Sequence, residues 1–157
     1  MKDVAITFTV NGDRHALAVP VWETLLECLR ERLGLLGTKK SCDVQVCGAC
    51  TVLVDDRPVS ACTFLAFEAR DRHVRTIEGL AQGPDGLDPV QQAFVEHGGL
   101  QCGACTPGQI MAARALLDQV ERPTVEQVKE WMTGNLCRCT GYYKIVESVL
   151  AAADDHR

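Results

Sequence analysis

Hydrophobic and polar positions alternate with a period of two at the start of the chain, where Val4, Ile6, Phe8 and Val10 are separated by Ala5, Thr7 and Thr9. Successive side chains of a strand point to opposite faces, so this pattern predicts a half-buried strand. Asn11-Gly12 predicts a hairpin turn, because both residues tolerate positive φ, and 15–19 returns as the partner strand. Thr24-Leu25-Leu26-Glu27 is a capping box that opens a helix running to about residue 33. Leu25, Leu26, Leu29 and Leu33 share one face of it, and Gly34 is its left-handed stop. Residues 51–54 and 59–62 predict a second hairpin around Asp55-Asp56-Arg57-Pro58, and 74–77 a last short strand.

The period then changes from two to 3.6. Asp88-Pro89 starts a helix containing Val90, Ala93 and Phe94, and Thr106-Pro107 starts one containing Ile110, Met111, Leu117 and Val120. Thr124 with Gln127 caps a third, containing Val128, Trp131 and Met132, while Ile145, Val146, Val149 and Leu150 mark a fourth. The expected fold class is α+β. A β-grasp-like unit over 1–77 is followed by a Gly/Pro/Asp-rich linker over 78–88 and a compact four-helix bundle over 89–157. The end of the chain, from Ala152 to Arg157, is expected to fray.

The cysteines decide what these elements carry. Cys42, Cys47 and Cys50 stand in the order C-x4-C-x2-C, with Cys62 after a gap of eleven residues. A plant-type ferredoxin uses this spacing to wrap three thiolates of one loop around a 2Fe-2S cluster. By folding back, the second hairpin returns Cys62 towards Cys50. A second set, Cys102-x2-Cys105 and Cys137-Arg138-Cys139, lies in loops that flank the predicted helices. Eight of the nine cysteines fall into two groups of four, and the expected work is moving electrons one at a time. Structural zinc is the rival for the second group, since four thiolates also suit a tetrahedral site. Disulfides are the rival for all of them. They rarely group cysteines in this way within well-patterned helices and strands.

Composition narrows the partners. The formal net charge is -5, and two oxidised four-thiolate clusters would take it to roughly -9, which argues against a nucleic-acid or anionic-membrane partner. No run of 18 or more apolar residues is present, and Met1-Lys2-Asp3-Val4 leads into the strand alternation instead of resembling a secretion signal, so the expected location is the cytoplasm. Halves of about 75 residues are marginal on core burial alone, and a bound cluster in each would supply the missing stability.

Three motifs in fixed order carry a family resemblance: Cys42-x4-Cys47-Gly48-Ala49-Cys50-Thr51-Val52, Gln101-Cys102-Gly103-Ala104-Cys105-Thr106-Pro107-Gly108 and Asn135-Leu136-Cys137-Arg138-Cys139-Thr140-Gly141-Tyr142. Over nearly its whole length the chain resembles the small iron-sulfur subunit of the molybdenum hydroxylases, the relatives of xanthine dehydrogenase, aldehyde oxidoreductase and aerobic carbon monoxide dehydrogenase. The resemblance implies a plant-type ferredoxin-like domain holding one cluster through Cys42, Cys47, Cys50 and Cys62. It also implies a helical domain holding a second through Cys102, Cys105, Cys137 and Cys139. Partners follow from it too: a large molybdopterin subunit, a medium FAD subunit and a dimer of heterotrimers. The resemblance further implies that the substrate-converting site is on the large subunit, and that Gln101 and Cys139 occupy the positions that contact its pterin. This sequence departs from the family at Ser41 and Gln45, where glycines are common, and at Ala104, where Phe is frequent.

Other candidates have blander readings. Cys28 lies beside the leucine face of the first helix and is expected to be an inert buried thiol, not a ligand. His15, His73, His97 and His156 show no metal spacing, so no Rieske centre is expected. Lys39, Lys40 and Arg138 stand close to the ligands, where positive charge would favour a reduced cluster as readily as it serves solubility. A free-standing two-cluster carrier is the functional alternative. The helical half counts against it, since a lone carrier needs only the first domain.

Overall fold

The computed structural model describes residues 3–81 and 86–154. The opening alternation forms β1 (Asp3–Val10), and Asn11 at φ 51° with Gly12 at φ 93° turns it into β2 (Asp13–Pro20). The second hairpin is tighter than predicted. Asp55 and Asp56, at φ 49° and 62°, make the turn alone, so β3 (Thr51–Val54) pairs with β4 (Arg57–Ser60) and Leu53 stands opposite Pro58. Proline is tolerated here because β4 is an edge strand, whose outer face needs no donor.

β5 (His73–Arg75) runs parallel to β1 and antiparallel to β3, completing a five-stranded mixed sheet in the order β2-β1-β5-β3-β4. It ends sooner than the expected 74–77. Thr76 N donates to Asn11 Oδ1 at 2.9 Å and Asn11 Nδ2 donates to Thr76 Oγ1 at 2.9 Å, which draws the chain out of the ladder into a 3-10 turn over Ile77–Gly79.

The Thr24 capping box forms as expected, with Glu27 N donating to Thr24 Oγ1 at 3.2 Å and Thr24 N to Glu27 Oε2 at 3.0 Å. Regular geometry lasts only through α1 (Leu25–Glu27). Over Cys28–Arg32 the helix widens to a π turn, in which Leu33 N donates to Cys28 O at 3.2 Å while the Arg32 side chain is held by Glu23. Gly34, at φ 70°, then ends it in the predicted left-handed conformation.

The second half contains α2 (Pro89–Glu96), α3 (Thr106–Leu117), α4 (Val125–Trp131) and α5 (Tyr143–Asp154). Asp88 and Thr124 cap α2 and α4 through their side-chain oxygens. α3 touches the other three helices and β3, and every residue from Gly108 to Leu117 is buried, which explains why it is largely apolar around its circumference, with Gln109 and Arg114 bonded inside. β3 joins the two halves. Val52 and Val54 face a core with Phe8, Leu25 and Leu29, whereas Leu53 faces a second core with Phe94, Met111, Ile145 and Val149, so the strand is covered on both faces.

Two expectations about less ordered segments need correction. α5 continues to Asp154 because Ala152 and Ala153 are buried in the helical core, so fraying does not reach them; 155–157 lie outside the described residues. At the start of the expected linker, Leu80 is buried in the helical core and Glu78 Oε1 accepts from Gly37 N at 2.7 Å, while 82–85 lie outside the described residues. Among the described residues, no helix is long and apolar enough to cross a membrane.

Candidate metal centres

The first cysteine loop winds through three left-handed positions, Asp43 at φ 62°, Gln45 at φ 57° and Gly48 at φ 69°. Such reversals turn successive N–H groups inward and make a concavity for negative charge. Val46 N and Cys47 N each lie 3.4 Å from Cys42 Sγ. Together with the Val44 N–H, which contributes most, they lower the Cys42 thiol to about 6. Burial has the opposite effect on Cys50 and pushes it up to about 12, although the Cys62 N–H partly opposes this.

Ala61 N donates to Cys50 O at 3.3 Å, which is how the hairpin returns Cys62 to Cys50. Cys50 and Cys62 are buried, Cys42 and Cys47 partly exposed, and Val44 and Val46 project into solvent, so the loop lies at the surface as expected. Gln45, one of the positions where glycine is common, adopts positive φ with its Oε1 accepting from Thr63 Oγ1 at 2.9 Å.

The second group is gathered from two loops, one entering α3 and one entering α5. Cys105 stands immediately before α3, making no side-chain bond to its first turn, and Cys102 Sγ lies 3.5 Å from Cys139 Sγ. Burial raises the Cys137 thiol, but the Thr140 Oγ1–H and N–H, 3.2 and 3.4 Å from its sulfur, together with the Cys139 N–H and the Cys105 side chain, outweigh burial and leave it lowered. The expectation that four helices enclose this site holds for only half of it. Cys137 is buried and Cys105 partly so, whereas Cys102, Cys139 and Gln101 are exposed, because the loops emerge at the ends of α3 and α5 where, among the described residues, no other element covers them.

The two groups face one another. A cavity of about 260 Å³ is lined by Cys47 from the first and by Cys102, Cys105, Cys137 and Cys139 from the second. Leu136 N donates to the Cys47 carbonyl at 2.8 Å, so the two loops are bonded directly. Of the nearby cations, Arg138 lines this cavity, Lys40 is drawn to Asp43 at 2.9 Å, and Lys39 donates to the Leu36 carbonyl at 3.0 Å. Asn135 is a residue the sequence reading missed. Its buried amide joins the first cysteine loop at Gly48 to the start of α3 at Gly108, and although it opens the third family motif, nothing in the sequence assigned it a role.

Comparison with known proteins decides the family. Residues 8–80 match the 2Fe-2S iron-sulfur cluster binding domain and residues 76–150 the 2Fe-2S binding domain. The chain is 48% identical over 149 residues to the nicotine 6-hydroxylase small subunit of Paenarthrobacter nicotinovorans, covering 95% of this chain and 89% of that one. It is 46% identical over 151 residues to the xanthine dehydrogenase iron-sulfur-binding subunit of Escherichia coli O157:H7, covering 95% and 94%. The chain belongs to the 2Fe-2S iron-sulfur subunits of the molybdenum hydroxylases. A solved structure, quinoline 2-oxidoreductase from Pseudomonas putida 86, superposes with a TM-score of 0.93 at 40% identity, covering 98% of this chain and 96% of the matched one.

As a molybdenum hydroxylase iron-sulfur subunit, the chain serves electron transfer in an oxidoreductase and takes two 2Fe-2S clusters. Its residues fit that group. Eight cysteines are free of disulfides, they stand in two sets of four, and the sulfurs of Cys42 and Cys137 receive N–H donors of the kind that stabilise metal-bound thiolate. The two 2Fe-2S family matches favour iron-sulfur clusters over the zinc and disulfide readings. Cys28, fully buried with its thiol pushed up to about 11 mainly by that burial, belongs to neither set.

Proposed function

We propose that this chain carries electrons singly from a large molybdopterin-binding subunit to a medium FAD-binding subunit, within a dimer of heterotrimers. In this reading Cys42, Cys47, Cys50 and Cys62 hold one cluster in a plant-type ferredoxin-like β-grasp domain, 1–77. Cys102, Cys105, Cys137 and Cys139 hold the other in a four-helix domain, 89–157. When bound, a 2Fe-2S cluster supplies a centre that gains and loses one electron at a time. The observation that supports the reading is that the two four-cysteine sets adjoin, Cys47 of the first lining one cavity with all four cysteines of the second, while Cys102 and Cys139 stand at the surface.

Each end has its own role in this arrangement. Cys102 and Cys139, with Gln101 beside them, form the end open to a partner, and there Gln101 and Cys139 would contact the pterin. The loop with Val44 and Val46 forms the opposite, flavin-side end. Between them Cys47 and Cys137 are linked through the Leu136 N–H. A free-standing carrier is not favoured, since the relatives above are named as subunits.

Metal analysis of the anaerobically purified protein tests the assignment. It should return about four irons and about four acid-labile sulfides per chain. Cys47→Ser should abolish or alter one of two paramagnetic signals and spare the other. Two irons, mainly zinc, or loss of both signals together would overturn the assignment.

A further inference from the structure

Asn135 is a buried polar side chain where the first cysteine loop, the first turn of α3 after Cys105 and the segment before Cys137 meet. Its Nδ2 lies 3.0 Å from the Gly48 carbonyl, 3.1 Å from Thr51 Oγ1 and 3.1 Å from the Gly108 carbonyl. Three surrounding oxygens determine that the nitrogen end of the amide faces them. Gly48 adjoins Cys47, Gly108 follows Cys105 in the first turn of α3, and Asn135 itself precedes Cys137. Its own carbonyl accepts from Gln109 Nε2, a fully buried side chain, at 2.8 Å.

The backbones meet here without spacing side chains. A Cβ on Gly108 would stand 2.1 Å from the Gly48 carbonyl, and one on Gly48, already at φ 69°, would stand 2.4 Å from the Gly134 carbonyl. Polar groups in such a contact have no access to water and must be satisfied by each other. An aspartate at 135 would set a charge against three oxygens, a serine would be too short to reach them, and a glutamine would add a methylene where none fits. The contact requires a donor of asparagine length.

We propose that Asn135 is a positioning residue that fixes the separation of the two cluster sites. The assignment rests on the two-cluster reading above and adds a device to it: an amide that touches no cluster sets how far apart two one-electron centres stand, on which the ease of transfer between them steeply depends. Gly48 and Gly108 belong to the same device, since they let the loops approach to backbone contact.

The test uses the full chain loaded with both clusters. When both are reduced, each carries an unpaired spin, and their magnetic interaction splits and broadens the resonance lines by an amount that falls with the cube of their separation. Asn135→Ala should keep the signal of each centre in half-reduced protein but weaken and spread the interaction in fully reduced protein. Gly108→Ala, which forces the loops apart with Asn135 intact, should produce the same loss. Thr51→Val, which removes one of the three acceptors, should produce a smaller loss of the same kind. A fall in melting temperature alone is what a merely structural residue would give, so the interaction is the criterion. An unchanged splitting in fully loaded Asn135→Ala overturns the assignment; should that variant fail to load, an unchanged splitting in Thr51→Val overturns it instead. A parent protein with only one paramagnetic centre would instead refute the two-cluster reading, and this assignment with it.

Discussion

Glu23 and Arg32 are joined by two hydrogen bonds of 2.6 Å, Nε to Oε1 and Nη2 to Oε2, between the residue before the Thr24 cap and the end of the π turn. Glu23 is buried and also braces the chain through its carbonyl, which accepts from Ala66 N at 2.8 Å. Removing the arginine would therefore leave a carboxylate out of water without its partner. Arg32→Ala should cost about 1–3 kcal/mol, below the value for a fully enclosed pair because part of Arg32 reaches solvent. Glu23→Gln, which leaves no charge stranded, should cost less. Thermal unfolding of the loaded protein ranks the two, and the reverse order would show that the pair is not what braces this corner.

At Gln45 the loop keeps a glycine-like backbone without glycine. A φ of 57° costs an L-residue, and the bond from Thr63 to Gln45 Oε1 helps hold it there. Gln45→Gly relieves the strain but loses that bond and adds backbone entropy, so stability should move by less than about 1 kcal/mol. Gln45→Val puts a β-branched residue at positive φ and should cost about 1–3 kcal/mol and shorten retention of iron. Iron release followed by absorbance would distinguish them. Equal retention in both variants would mean that the loop changes path at this residue.

Much of this architecture was legible because local chemistry dictated it. Asn11-Gly12 can hardly be anything but a tight turn, the caps at Thr24, Asp88 and Thr124 each satisfy orphan N–H groups at a helix start, and the spacing of the first cysteine group points to a 2Fe-2S cluster. What escaped depends on neighbours distant in sequence. Val52, Leu53 and Val54 form a continuous apolar run with no period, so nothing local shows that alternate residues serve different cores. Asp55-Asp56-Arg57-Pro58 reads locally as one turn, and only the sheet order, with β4 at an edge, shows why Pro58 can sit in a strand. Spacing says which sulfurs act together but not whether anything covers Cys102 and Cys139. Asn135 escaped for the same reason, since its three acceptors are 27 to 87 residues away.

Cys28 gives the chain a specific alkaline sensitivity. Its thiol titrates near 9.0 when unfolded and about 11 when folded, chiefly because burial disfavours the thiolate. The folded state thus holds the proton more tightly, so the associated stability is complete below pH 9.0 and is lost as pH rises towards about 11. That loss amounts to about 2–3 kcal/mol at full extent. Cys28→Ala should be less stable by about 1–2 kcal/mol at pH 7 from the cavity, yet show a flatter decline between pH 9 and 11. Parallel declines in the two proteins would assign the alkaline transition to other groups. At pH 8 the native parent should resist alkylation at Cys28, which should label only on unfolding.

Gln101 supplies a separate test of how this subunit meets its partner. Its side chain is exposed beside the exposed Cys102, in the loop that leads to the start of α3. An amide that both donates and accepts can hold a pterin edge and steady the cysteine next to it. Since all eight cysteines remain, Gln101→Ala should leave both paramagnetic signals and the iron content unchanged. Being a surface change, it should alter stability by no more than about 0.5 kcal/mol. What should change is the rate at which the iron-sulfur absorbance bleaches when substrate is mixed rapidly with the assembled complex. A residue that merely precedes a helix would leave that rate alone. An unaltered bleaching rate at normal molybdenum content would therefore remove Gln101 from the pterin contact, and with it the argument that the exposed end of the second group faces molybdenum through this side chain.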